Sequence, residues 1–276
     1  MGVLLGGLSS LLYGVGDFLG GEGAKRVSAA TVVLWAGLVS FPLILIVALL
    51  TGGDAQPSDL WLGAAGGSAG ALGLVSLFAG LGRGQAAAVA PAAAAFGGIV
   101  PVGVAVLTGD PISTLTWVGV VVAIPAIVLC SWVGEPGDVP LGGVWYGLAA
   151  GLGFGVYTVL LDQTSEASAL LPLIPARAAT MLAISLIALL GVWRVSGFSS
   201  IPKAIILGNG LLDVSGNVTL LLALRLGSLA PVAVAASFYP AVTVLMARIV
   251  NAEHLRGRQI LGLVLTLAAL AVIAAG

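Results

Sequence analysis

Asp17, Arg177 and Asp213 each fall inside long apolar stretches, where ionisable side chains are rare. A charge near the middle of a bilayer costs about 2.5 to 3.5 kcal/mol on insertion scales, so it normally faces the interior of a helix bundle and has a partner. Asp213 is the centre of a stripe, because Asn209, Asp213 and Asn217 recur every four residues and share one helix face. Tyr239 beside Pro240, with Ser237 and Thr243 nearby, offers a cavity wall an aromatic face and hydroxyls, or equally an ordinary packed aromatic. The chemistry open to these groups is binding: an arginine and one or two carboxylates can hold the charged ends of a small solute. Asp17 and Asp213 are also the two carboxylates able to carry a coupling proton.

Spacing suggests a pair. Arg177 lies about nine residues from the start of its apolar stretch, a depth of roughly 13 Å at the helical rise. Asp213 lies about ten residues from the matching end of the next, antiparallel stretch, a depth of roughly 15 Å. An arginine-carboxylate pair at that level would relieve the desolvation of both charges, and it would serve either helix fixation or solute binding and gating. Asp17 falls near the end of its stretch, within reach of interfacial water, and Asp162 reads as an interfacial charge.

The elements that must position these residues are membrane helices. Only 8% of the 276 residues are charged and 59% are hydrophobic, with mean hydropathy +1.18, whereas soluble domains carry about a quarter charged residues. A net charge of -1 gives no electrostatic footprint for nucleic acid. The single Cys130 excludes a disulfide framework and reads as lipid- or helix-facing packing. Crossing a bilayer takes about 20 apolar residues, and loops rich in Gly, Pro and Asp divide the chain into ten such stretches. They lie near 2–21, 28–50, 58–80, 85–107, 114–133, 142–162, 168–192, 200–223, 228–250 and 257–275. The first has no basic leader and reads as a span, not a signal peptide.

The chain reads as one five-helix block written twice, 1–136 and 137–276. At an offset of 141, Tyr13 matches Phe154, Gly14 matches Gly155 and Val15 matches Val156; at 143, Gly84 matches Gly227, Phe96 Tyr239, Asp110 Glu253 and Gly119 Gly262. Five is odd, so the second block must sit upside down, an arrangement typical of transporters. Lys25, Arg26, Arg83, Arg194, Lys203, Arg248, Arg256 and Arg258 fall on one side against Arg225 alone on the other. The first side is expected to be cytoplasmic and both termini external.

Gly147, Gly151 and Gly155, Gly16 and Gly20, and Gly66 and Gly70 repeat at a spacing that lets backbones approach closely. Prolines fall inside several spans, and Pro91, Pro101, Pro231 and Pro240 mark the fourth and ninth as candidates for broken, cavity-lining elements. Catalysis is disfavoured: His254 is the only histidine, and there is no GxSxG, HExxH, metal-ligand cluster or phosphate-binding GxxxxGK. No cofactor is expected.

The glycine-rich LLYGVGDFLGG, Arg177 in the seventh span, the YPAVTVLMARIVNAE run ending at Glu253 and the following LGLVLTLAALAVIAAG resemble the ten-helix drug/metabolite transporter superfamily, EamA-like branch. The resemblance covers essentially the whole chain. It implies a basket of helices around a central cavity, lined mainly by spans one, three, four, six, eight and nine, with five and ten outside. It also implies export or exchange of small metabolites such as amino acids, often driven by protons, in the cell membrane. Arg177 matches an arginine the family places in the second helix of a repeat, where the first half has Trp35 and Ala36. Glu253 and Asp110 match the acid before the last helix of each repeat. The resemblance also implies cytoplasmic termini, opposite to the charge count.

The leading expectation is therefore a secondary carrier with Arg177, Asn209, Asp213, Asn217, Ser237 and Tyr239 as binding or gating residues. The alternatives are an uncoupled channel or uniporter, and a non-transporting scaffold. The expected partners are a small metabolite, membrane lipid and protons.

Overall fold

A computed structural model describes residues 1–109, 112–131, 141–250 and 257–275. Asp110, Glu253, His254 and the boundary between the two blocks lie outside them, as do the side chains of Cys130 and Arg248. The regular secondary structure of the described residues is all helical, with no strand. The helices are α1 (Gly2–Ala24), α2 (Ala29–Thr51), α3 (Pro57–Gly82), α4 (Ala86–Thr108), α5 (Thr114–Ser131), α6 (Leu141–Asp162), α7 (Leu173–Leu189), α8 (Lys203–Arg225), α9 (Leu229–Ala236), α10 (Tyr239–Val250) and α11 (Gly257–Ala275). Among the described residues, six stretches are long and apolar enough to cross a membrane, the last running from Leu229 to Ala247, and shorter apolar helices accompany them. Large apolar side chains such as Leu50, Leu107 and Leu189 point outward, more than 80% exposed. A lipid environment accepts that surface, because the apolar drive to bury it vanishes there.

Local chemistry sets the helix ends. The Ser28 hydroxyl caps α2 by accepting from the Thr31 amide. Gln56 and Asp59 form a reciprocal capping box at α3 with Pro57 in its first turn. Gly109 ends α4 with φ 79°, a left-handed conformation that suits glycine.

The ninth stretch is broken, as its prolines suggest. Pro240 has no amide to offer the carbonyl of Ala236, its ring crowds that carbonyl, and α9 ends there. Pro91 and Pro101, by contrast, leave α4 continuous, and Pro231 sits harmlessly in the first turn of α9. Only one of the two expected broken helices is therefore seen.

Packing follows the glycines. A Cβ on Gly147 or Gly151 would lie 2.5 Å from the carbonyl oxygen of Val89 or Ala93, and one on Gly155 would lie 2.7 Å from Val100 Cβ, so α6 and α4 meet backbone to backbone. Gly2, Gly6 and Gly14 bring α1 equally close to the end of α8 and its connection to α9, to α9 and to α10. The most extensive contacts pair α4 with α6, α1 with α8, α5 with α11, and α3 with α6 and α7.

The loops gather at two ends. At one, the α6–α7 connection is tied down by two charged residues. Asp59 accepts from the Ser165 amide and hydroxyl, both at 2.7 Å, and from the Gln56 amide at 2.9 Å. Arg225 donates to the Thr164 carbonyl, to the Thr164 hydroxyl at 2.6 Å and to the Ser168 hydroxyl at 3.3 Å. At the other end the α7–α8 connection lies on α2, where the Ser196 amide donates to Thr31 at 2.9 Å and the Trp35 indole donates to the Ser196 carbonyl at 2.9 Å. Lys25, Arg26, Arg83, Arg194 and Lys203 sit at or beside this second, basic end.

Candidate functional site

Arg177 and Asp213 meet. The guanidinium donates to the Asp213 carboxylate, and the two residues are 6% and 9% exposed. The contact joins α7 and α8 at one level, as the spacing suggests. The α6–α7 connection includes a 3-10 turn (Glu166–Ser168), then Ala169 at φ 46°, with Ser168 and Leu170 buried. Helix α7 consequently starts inside the bundle at Leu173 and carries Arg177 inward with it.

The pair lines a partly open cavity. Its walls come from α1, α2, α3, α4, α6, α7, α8, α9 and the first residue of α10; α5 and α11, packed on each other, contribute none. Arg177, Asp213 and Asp17 are the only charged residues among the lining. Aromatic rings supply much of the rest: Tyr13, Phe154, Tyr157 and Tyr239, with Phe154 and Tyr239 edge to face at 5.7 Å. A mostly apolar, aromatic wall with a few polar groups suits a small organic ligand.

Around the ion pair the polar groups are linked. Asn217 donates through Nδ2 to the Asp213 carbonyl at 2.7 Å and accepts from the Tyr157 hydroxyl. Thr180, also in the lining, donates to the Gly67 carbonyl at 2.7 Å and so joins α7 to α3. Arg177 Nε is buried without a hydrogen-bond partner. One donor of the pair is therefore unspent.

Asp17 is further from water than expected. Helix α1 continues seven residues beyond it to Ala24, and the residue is 5% exposed. Its neighbours in the wall are Tyr13, one helical turn away on the same face, and Tyr239, whose hydroxyl is buried without a hydrogen-bond partner. Ser237 lines the cavity and donates to the Ala233 carbonyl at 2.7 Å.

Asn209 does not reach the cavity. Its Nδ2 donates to the Gly16 carbonyl at 2.8 Å, pinning α8 to α1. Thr243 likewise donates to the Gly14 carbonyl at 3.0 Å and holds α10 on α1. Sequence reasoning missed Tyr13, Phe154 and Tyr157 as lining, although Tyr13 and Asp17 at i and i+4 were a signal. It passed over Asp59 and used Arg225 only in the sidedness count. Asp162 ends α6 within electrostatic range of Arg225.

The chain resembles known proteins in two ways. A solved structure titled only "Crystal structure of protein" superposes with a TM-score of 0.75 at 17% identity, covering 99% of this chain and 98% of that one, and so shares its fold. No curated protein matches. Residues 141–275, the second part of the chain, match the EamA-like transporter family, a match consistent with the drug/metabolite transporter superfamily; with the apolar helices it indicates a multi-pass membrane protein.

Proposed function

We propose that this protein is a secondary-active carrier of a small, amine-bearing metabolite of about amino-acid size, working by alternating access in the cell membrane. The observation that carries this reading is the aromatic-walled cavity holding a buried Arg177–Asp213 pair and a third charge, Asp17. In this reading α9 and α10 form one broken span, so that ten spans make two inverted halves.

Paired packings support the two-half arrangement. Tyr13 covers Gly216 and Phe154 covers Gly73, each ring 2.7 Å from where a Cβ would sit. Tyr13 and Phe154 are 141 residues apart, and Gly73 and Gly216 are 143 apart. The Ala176 carbonyl presses on Gly67 and the Ala36 carbonyl on Gly210 in the same exchanged fashion. Likewise α1 packs on α8 as α6 packs on α3, and α1 on α9 and α10 as α6 on α4. Two halves of like structure and opposite direction can exchange conformations, which opens the cavity to each side in turn.

This register places Gly37, not Trp35 or Ala36, opposite Arg177, and Gly70 opposite Asp213. The halves thus share a framework and differ in charge. Arg177, Asp213, Asn217, Ser237 and Tyr239 are the residues proposed to meet the solute, while Asn209 holds α8 in place. Asp17 and Asp213 are the proposed carriers of a coupling proton.

The test is counterflow in proteoliposomes. Vesicles loaded with unlabelled amino acid or amine are diluted into labelled solute, with and without a pH gradient. A carrier transiently accumulates label above equilibrium, whereas simple equilibration marks a channel and no flux of any solute removes the transport reading.

A further inference from the structure

The ionisable groups lining the cavity are not all paired. Arg177 is committed to Asp213, and Asp17 has no ion-pair or hydrogen-bond partner among the described residues. Lys25, the basic residue nearest along α1, pairs instead with Glu22. The cavity therefore carries one carboxyl group without a partner, in a residue 5% exposed, where ionisation is costly until a cation stands beside it. Beside it stands a second acceptor without a partner, the buried Tyr239 hydroxyl.

Tyr13 and Tyr239 are both within electrostatic range of Asp17, and Phe154 meets Tyr239 edge to face. Ring faces attract a cation, and a carboxylate with a phenol oxygen accepts from its N–H groups. Tyr13 also lies within range of Arg177, whose Nε is buried without a hydrogen-bond partner and is matched by a neutral acceptor. A second carboxylate there would sit against Asp213 and be repelled.

We infer that Asp17, Tyr13 and Tyr239 form a subsite for an organic ammonium group, and that the cavity selects a net cation over a zwitterion of the same skeleton. The inference rests on the carrier reading only for its consequence in transport; the subsite itself is a matter of binding.

The test is binding of a charge series on one skeleton to purified protein in detergent, by calorimetry: phenethylamine, phenylalanine and phenylethanol. The cation binds most tightly. Asp17→Asn weakens phenethylamine by roughly 30-fold or more, as expected when a buried charge loses its partner, and leaves phenylethanol unchanged. Asp17→Glu restores part of the loss, and Tyr239→Phe weakens the cation by a smaller factor. Size-exclusion profiles matching wild type separate loss of binding from loss of folding; if Asp17→Asn fails to fold, the wild-type series and Tyr239→Phe decide. Equal affinity for cation, zwitterion and alcohol overturns the inference, as does an Asp17→Asn protein that binds phenethylamine normally. Selective cation binding without any counterflow would uphold the subsite and defeat the carrier; counterflow of phenylalanine insensitive to Asp17→Asn would do the reverse.

Discussion

Removing either half of the Arg177–Asp213 pair should cost more than removing both. The pair is buried, direct and supported by Asn217, which donates to the Asp213 carbonyl. Arg177→Met leaves a carboxylate with no partner and Asp213→Leu leaves a guanidinium with none. Breaking a buried pair in this way costs about 3 to 5 kcal/mol. At roughly 2 to 4 °C per kcal/mol for a chain of this size, each single variant should lose about 6 to 20 °C in melting temperature. Asp213→Leu should be the worse, because a carboxylate can neutralise itself by taking a proton and a guanidinium cannot. The double variant keeps similar volume and strands no charge, so it should recover most of the loss. The assay is a double-mutant cycle on thermal unfolding in one detergent. Single effects that add to the double within about 0.5 kcal/mol would refute the reasoning, since contacting residues must couple by more than that.

Other outcomes follow from the packing. Asp59→Ala, which removes two hydrogen bonds accepted from Ser165 in the α6–α7 connection and one from the Gln56 amide, should cost about 1 to 3 kcal/mol and raise amide exchange across 163–172. Unchanged exchange there would show that Arg225 alone holds the segment. Gly151→Leu drives a side chain into the Ala93 carbonyl and should abolish a monodisperse peak on size-exclusion chromatography, while Gly103→Leu, with open space around it, should not. Tyr157→Phe strands the Asn217 carbonyl oxygen at a cost of about 1 to 3 kcal/mol, read as a fall in melting temperature. Ser28→Ala removes the cap on α2 and should cost about 0.5 to 2 kcal/mol by the same assay.

Particular residues show what the sequence disclosed. The partnership of Arg177 and Asp213 was legible because two opposite charges on neighbouring apolar stretches need each other. The inward dip before Leu173 was not, because it depends on buried turn residues such as Ser168 that read as ordinary loop. The close packing at Gly147, Gly151 and Gly155 was legible from spacing alone. Asn209 was misplaced because helix-face periodicity tells which residues share a face, not which of them meets a neighbouring carbonyl. Asp17 was set too near the membrane edge because Gly20, Gly21 and Gly23 read as the end of the span, whereas α1 continues through them to Ala24. The Asp59–Ser165 contact joins residues 106 apart, and no local pattern announces it. Prolines gave a mixed signal: one of the two spans they marked is broken and the other runs straight through them.

The central claim is that one cavity, shared by two inverted halves, opens to each side of the membrane in turn. Ser237 lines that cavity, so Ser237→Cys on a Cys130→Ala background places a single thiol inside it. Labelling by a membrane-impermeant maleimide is then measured in vesicles of each sidedness, with and without phenethylamine. The account predicts labelling from both sides in the absence of solute and protection from both sides in its presence. Labelling confined to one side under every condition would contradict alternating access through this cavity.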